Sequence, residues 1–180
     1  MSSSDVFVWV SLGSNHDRDH QIARALDELY QRFGELVISR IYETQPVGLK
    51  VKHCAPFYNL IAGFFTSLPP GELNRHLKEI EGDTKYLCPE DKSIYARALD
   101  LDLVAHGDKE GQFEGVQLPY KQLLKHDFVL RPLAELAPHE QAPGQELSWS
   151  QLWQKHAHPE QKMQAVDFTW RGRQISSAIN

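Results

Sequence analysis

Cysteine is scarce in this chain: Cys54 and Cys88 are the only two in 180 residues, and neither stands in a Cys-x-x-Cys or Cys/His metal spacing. Neither a disulfide framework nor a thiolate zinc centre is therefore indicated. Nine histidines are present but scattered through polar segments. Only His156-x-His158 is close, and it reads as surface. No apolar run approaches the roughly 18 residues of a membrane span. The opening Met1-Ser2-Ser3-Ser4-Asp5 has no basic stretch ahead of its short apolar run, so it does not read as a secretory leader. Basic clusters are lacking too. Net charge is −5, and the one dense basic stretch is Trp170-Arg171-Gly172-Arg173, which argues against a nucleic-acid binder. The expectation is a soluble cytoplasmic protein without nucleic-acid or membrane partners.

What remains is enough for a real core: 41% of the residues are hydrophobic, and the length suits one ordinary domain. Residues 6–12 read as a strand that ends in the small-polar turn Gly13-Ser14-Asn15. Ile22, Leu26, Leu29 and Phe33 then recur at helical steps, with Gly34 as the stop. Residues 36–44 alternate as one strand, and 57–67 read as a buried strand ended by Pro69-Pro70-Gly71. A helix carrying Leu73, Leu77 and Ile80 follows and loses its pattern after Glu81. Residues 82–92 are polar and mixed, a candidate mobile loop. Residues 99–104 form the next strand. A hairpin-like stretch at 107–115 leads to an edge strand ending at Leu118-Pro119, and a helix is predicted over 128–137. The order strand-helix-strand-strand-helix-strand is the βαββαβ arrangement of a ferredoxin-like α+β domain, helices covering a mostly antiparallel sheet. Beyond Pro138 a weak helix near Leu152 and strand alternation over 166–170 belong to a tail whose place the pattern does not give. The domain is expected over 1–138, with 139–180 an extension packed on it or on a partner.

Alternation in 99–103 sends Leu99, Leu101 and Leu103 to one face and Asp100 and Asp102 to the other. Two carboxylates about 6–7 Å apart repel by about 2–3 kcal/mol at an effective dielectric near 20, a cost that a divalent cation reverses. All-oxygen ligands with no nearby His or Cys suit magnesium bridging to substrate phosphates. Arg97 stands one strand turn earlier, where it can meet a phosphoryl oxygen or pair with the carboxylates. By spacing alone, solvated aspartates on an amphipathic edge strand are the simpler reading. Phe57 and Asn59 share a face of their own strand. An amide offers a donor and an acceptor to the amino-oxo edge of a pterin, and the ring offers a stacking surface. A core phenylalanine beside an asparagine that satisfies backbone groups is the alternative.

Together these residues resemble the 6-hydroxymethyl-7,8-dihydropterin pyrophosphokinases, which move the terminal diphosphate of ATP onto a pterin hydroxymethyl group. The resemblance spans about residues 6–138. It is carried in order by Leu12-Gly13-Ser14-Asn15, Tyr42-x-Thr44-x-Pro46-Val47-Gly48, Phe57-Tyr58-Asn59, Arg97-x-Leu99-Asp100-Leu101-Asp102 and the closing Phe128-x-Leu130-x-Pro132-Leu133-x-Glu135. It implies that Thr44, Gln45 and Val47 lie against the pterin, that Asn59 binds its polar edge, and that Phe57 and Phe128 sandwich its ring. It further implies that Asp100 and Asp102 hold magnesium, that Arg97 serves catalysis, and that Lys78, Leu103, Tyr120, Lys121 and His126 lie on the ATP side.

The departures gather on that ATP side. Relatives usually continue Gly-Arg-x-Arg after the glutamate that is Glu81 here, and carry Arg-Trp-Gly-Pro before the signature arginine. This chain has Gly82-Asp83-Thr84-Lys85 and Ser93-Ile94-Tyr95-Ala96. The family's Pro-His-Tyr is Pro119-Tyr120-Lys121, and its Arg-Gly-Phe is His126-Asp127-Phe128. Lys85, Lys92, Lys121 and Lys125 restore point charge without bidentate phosphate geometry. Three readings follow: a magnesium- and ATP-dependent pyrophosphokinase, a pterin-binding homologue with lost or altered donor use, and an interaction module pairing an edge strand over 166–170. Oligomeric state stays open between a monomer and a tail-mediated dimer.

Overall fold

The computed structural model describes residues 4–45, 55–83, 85–88 and 91–179, with side chains left aside over 87–88 and 91–96. The chain runs β1 (Val6–Ser14), α1 (Arg18–Phe33), β2 (Val37–Ile38), β3 (Ile41–Thr44), β4 (Phe57–Thr66) and α2 (Pro70–Glu81). Then come β5 (Lys85–Cys88), β6 (Asp91–Arg97), β7 (Asp100–His106), β8 (Gly111–Phe113), β9 (Val116–Leu118) and α3 (Asp127–Leu136). The chain closes with α4 (Trp149–His156), β10 (Met163–Val166), β11 (Phe168–Trp170) and β12 (Arg173–Ser176).

The main sheet has the order β10-β3-β4-β1-β7, with β2 also on β4, and every pairing is antiparallel. Its core β1-α1-β3-β4-α2-β7 is the expected ferredoxin-like arrangement. Helices cover both faces. Val8, Val10 and Leu12 of β1 pack with Ile22, Leu26 and Leu29 of α1 and with Leu73, Leu77 and Ile80 of α2. On the other face, Trp9, Ile61, Val104 and Ala105 pack with Val129, Leu130 and Leu133 of α3 and with Trp149 and Leu152 of α4. Burial on both faces explains why β4 reads as a continuous apolar run, where a half-solvated strand alternates.

Three expectations change. The single strand over 36–44 is two strands, because Ser39 breaks the ladder: its backbone N–H donates to the Ile61 carbonyl while its Oγ accepts the Ile61 N–H at 2.8 Å. A side-chain oxygen has replaced a backbone acceptor. The polar stretch from 82 to 92 is not simply a loop, since β5 and β6 pair as a hairpin in register from Lys85 opposite Arg97. The sequence there is polar and mixed, so periodicity does not reveal the strands. β1 continues through the expected turn to Ser14, whose Oγ bonds the Ala98 carbonyl. The hairpin near 107–115 is β8-β9, turned by Glu114 and Gly115 at φ 50° and 85°, the primed geometry that two-residue hairpins favour.

In the tail, β10 pairs with β3 from Met163 opposite Thr44 to Val166 opposite Ile41, and β11 pairs with β12. The strand segments over 166–170 thus find their partners within the chain. No helix among the described residues is long and apolar enough to cross a membrane.

Leu77 and Leu133 are both fully buried, one on each face of the sheet. Truncating either to alanine is expected to destabilise the chain by about 2–5 kcal/mol in urea unfolding. A loss well under 1 kcal/mol at Leu133 would show that the α3/α4 layer is not a core.

Candidate active site

A cavity of about 590 Å³ opens at one end of the sheet on the α3 side. Its origin is a taper in side-chain size. On the face of β1 shared by Trp9, Ser11 and Gly13 the side chains shrink toward the strand's end, and the space they leave is lined by Ser11 and Gly13. β4 supplies Phe57 and Asn59, β3 ends in Thr44 followed by Gln45, and β7 supplies Asp100 and Asp102. The far wall is Tyr120, Gln122, Lys125, His126 and Phe128, from the segment that leads into α3. Most of the residues assigned to the pterin and to the metal thus share one cavity.

The amide end is fixed tightly. Asn59 is buried, and its Nδ2 donates to Thr44 Oγ1 at 2.6 Å. Gly13 faces Asn59 across the β1-β4 ladder, and a Cβ there would lie 2.9 Å from Asn59 Oδ1. Glycine at this position therefore makes room for the amide. Opposite it, the Phe128 ring stacks on His126 with centroids 4.6 Å apart, and His126 is tilted against Tyr120. Burial lowers the His126 pKa, with Lys125 adding to the effect. Its Nδ1 has no hydrogen-bond partner among the described residues.

At the acidic end, Leu99, Leu101 and Leu103 enter the core as the alternation requires, and Asp100 and Asp102 face the cavity. Removal from bulk water pushes the Asp100 carboxyl up to about 7, with the charges of Asp102 and Glu81 adding to it. Burial also raises Asp102, against the pull of Lys78. Tyr120 is pushed up to about 12, by burial and then by the two aspartates. Beneath this pair Glu81 is 2% exposed and holds three donors: Lys78 Nζ at 2.6 Å, Arg97 Nη1 at 2.9 Å and the Leu101 N–H at 2.8 Å. Lys78 Nζ also donates to the Leu101 carbonyl at 2.7 Å and lies 3.7 Å from Asp102.

Four expected residues stand elsewhere. Arg97 and Lys78 lie behind the carboxylates, paired to Glu81, and do not line the cavity. Leu103 is 4% exposed and packs in the α1/α2 core, since its position in the alternation puts it on the leucine face. Lys121 is exposed in the turn before α3 and is not part of the wall. Val47 lies outside the described residues. Ser11, Gly13 and Gln122 were not foreseen as lining residues. Strand alternation puts Ser11 and Gly13 on one face of β1, but that this face lines the cavity follows from the register that sets Gly13 against Asn59.

Two carboxylates are too few for a resident metal cage, and among the described residues no group of three or more His, Cys, Asp or Glu side chains could hold an ion. The donor set fits magnesium completed by water and substrate phosphates, the ordinary coordination of that ion in phosphoryl transfer.

One end of a ferredoxin-like sheet thus sets paired carboxylates beside an amide-and-aromatic pocket. The chain belongs to the 7,8-dihydro-6-hydroxymethylpterin-pyrophosphokinase (HPPK) family, whose model matches residues 9–138. It is 34% identical over 142 residues to the 2-amino-4-hydroxy-6-hydroxymethyldihydropteridine pyrophosphokinase of Porphyromonas gingivalis, covering 76% of this chain and 95% of that one. The enzyme of the same name from Bacillus subtilis is 32% identical over 131 residues, covering 71% of this chain and 76% of its own. In structure the chain is similar to Plasmodium falciparum HPPK-DHPS, with a TM-score of 0.69 at 12% identity over 96% of this chain. It spans 50% of that longer chain, and the likeness is one of fold.

Gly13→Ala is expected to destabilise the chain by about 1–3 kcal/mol through the clash with Asn59, and by much less in an Asn59→Ala background. Equal losses in both backgrounds would remove the close approach as the cause. Asp100 holds its proton more tightly when folded than when unfolded, where its ordinary value is 3.8. The native state therefore binds more protons through the window from 3.8 to about 7, and the metal-free chain loses stability as pH rises across it. Asp100→Asn is expected to flatten that slope in urea midpoints taken below and above the window. An unchanged slope would place its origin elsewhere.

Proposed function

We propose that this chain transfers diphosphate from ATP to 6-hydroxymethyl-7,8-dihydropterin, a step of folate biosynthesis, with Asp100 and Asp102 as the magnesium ligands. The observation that carries the reading is the single cavity that holds the Asn59–Thr44 amide pocket and the two carboxylates together. Membership of the family supplies the reaction class.

In this reading Asn59 accepts and donates at the pterin's amino-oxo edge, and Thr44 Oγ1 fixes which way the amide points. Phe57 and Phe128 take the faces of the ring, and Gln45 and Val47 close its edge. The hydroxymethyl oxygen attacks the β-phosphorus of ATP. The bond from that phosphorus to the oxygen bridging to the α-phosphate breaks, AMP leaves with the electron pair, and the hydroxyl proton is released. Magnesium, when bound, neutralises charge on the phosphate oxygens. Asp100 must lose its proton to hold the ion, so magnesium affinity is expected to rise with pH toward and past about 7.

Lys125, Tyr120 and His126 offer donors along the phosphate wall, Lys121 stands in the turn beside it, and Leu103 backs the strand from the core side. Arg97 and Lys78 act from behind, where Glu81 holds both close to the carboxylates. A pterin-binding protein that no longer uses ATP is the competing reading. The engagement of both cations by Glu81, together with the missing loop arginines, favours it. Residues 139–180 belong to the same unit in our reading, as β10 on β3 and α4 on α3 support. We read the protein as cytoplasmic and as working without a membrane or nucleic-acid partner. The pairing of β10 with β3 of the same chain engages the tail internally, which supports a monomer over a tail-mediated dimer.

Purified protein with ATP, magnesium and 6-hydroxymethyl-7,8-dihydropterin is expected to yield AMP and diphosphorylated pterin in equal amounts by mass spectrometry. Asp102→Asn is expected to lower the rate by a factor of about a hundred or more. Tight pterin binding without nucleotide binding or AMP release would establish the competing reading.

A further inference from the structure

Asp127 occupies the place where the family resemblance has a glycine, and its surroundings show what it does here. It is the first residue of α3 and only 2% exposed, yet its carboxylate faces neither the cavity nor a cation on its own helix. Both oxygens are taken by one residue of the C-terminal extension. The His158 backbone N–H donates to Oδ2 at 2.8 Å, and His158 Nδ1 lies 2.8 Å from Oδ1. A carboxylate only accepts, so the imidazole proton on this side sits on Nδ1.

Gln161 completes the attachment. Its Oε1 accepts the Asp127 N–H at 3.1 Å, and its Nε2 donates to the Lys125 carbonyl at 2.8 Å. The Gln161 N–H donates to the His158 carbonyl at 2.9 Å, which folds the two into one turn. Two residues further on, Met163 pairs with Thr44 on the sheet. The extension thus runs from one lip of the cavity, where Lys125, His126 and Phe128 stand, to the other, where Thr44 and Gln45 stand. A smaller cavity of about 250 Å³ lies beneath this span, and Thr44, Gln45 and Phe128 line both it and the main cavity.

We propose that His158 and Gln161 are positioning residues for the substrate cavity, holding the 125–128 segment so that the Phe128 ring meets the substrate at a fixed distance from Thr44 and Asn59. The inference deepens the pterin reading of the cavity and rests on it. Neither residue touches the cavity's amide pocket or its carboxylates. Both lie beyond residue 138, where the family match ends. Their influence passes through Asp127 and the Lys125 carbonyl, so removing them shifts a ring and leaves the carboxylates in place.

The test uses the full chain with His158→Ala, His158→Asn and Gln161→Ala. Asparagine retains an N–H donor close to the Nδ1 position, and alanine does not. His158→Ala and Gln161→Ala are expected to raise KM for the hydroxymethylpterin by about tenfold or more, with KM for ATP little changed. His158→Asn is expected to recover most of the loss. Amide hydrogen exchange over 125–130 reads the same attachment without substrate, and is expected to quicken in both alanine variants but not in His158→Asn. Unchanged pterin KM in variants whose exchange has quickened would overturn the proposal. So would an asparagine variant no better than alanine, or a KM for ATP that rises in step with that for pterin. Should wild type fail to form product, the transferase reading fails. The exchange experiment, with pterin affinity measured by fluorescence quenching, then decides the positioning claim alone: quickened exchange with weakened binding supports it, and any other combination overturns it.

Discussion

Two carboxylates of like charge can be held side by side only if something outside the pair forces them there. In this chain the force is burial of the leucines between and around them. Leu99, Leu101 and Leu103 are each 4% exposed or less, and fully burying such a side chain is worth roughly 1.5–3 kcal/mol. The three together exceed the repulsion of about 2–3 kcal/mol between the aspartates. The strand therefore cannot turn to relieve the pair without exposing its apolar face. Burial first, and then the charges of Asp102 and Glu81, raise the Asp100 pKa, a standing preference for a proton or a cation.

Glu81 makes that arrangement tolerable from behind. A buried carboxylate without partners would be costly, and this one accepts from Lys78, Arg97 and the Leu101 N–H. Its two cations then lie next to β7, with Lys78 in reach of Asp102. The hydrogen bond from the Leu101 N–H also ties the end of α2 to the strand between the two aspartates. The acidic end is thus one cluster of three carboxylates and two cations anchored in the α1/α2 core, while the amide-and-aromatic end belongs to the α3 side. One sheet holds the two ends in register.

The sequence was legible where one local rule decides. Helical spacing in 22–33 and 73–80 and alternation in 99–103 marked the elements and the direction of the aspartates. The shared face of Phe57 and Asn59 emerged from strand period alone. What escaped depends on partners far along the chain. Ser39 replaces a ladder acceptor only because Ile61 lies beside it. Lys78 and Arg97 carry no mark that a buried glutamate will claim them. Asp127 and His158 are 31 residues apart, and nothing periodic connects them. Local pattern fixes which way a side chain points, whereas tertiary packing decides what it meets.

The central claim is that the carboxylates and the amide pocket serve one substrate complex. Manganese replacing magnesium, with a non-hydrolysable ATP analogue and bound hydroxymethylpterin, tests it directly through relaxation of the pterin's hydroxymethyl protons. Strong relaxation that disappears in an Asp100→Asn/Asp102→Asn double variant is the predicted result. Relaxation indistinguishable from free manganese in solution, with the pterin still bound, would contradict the account.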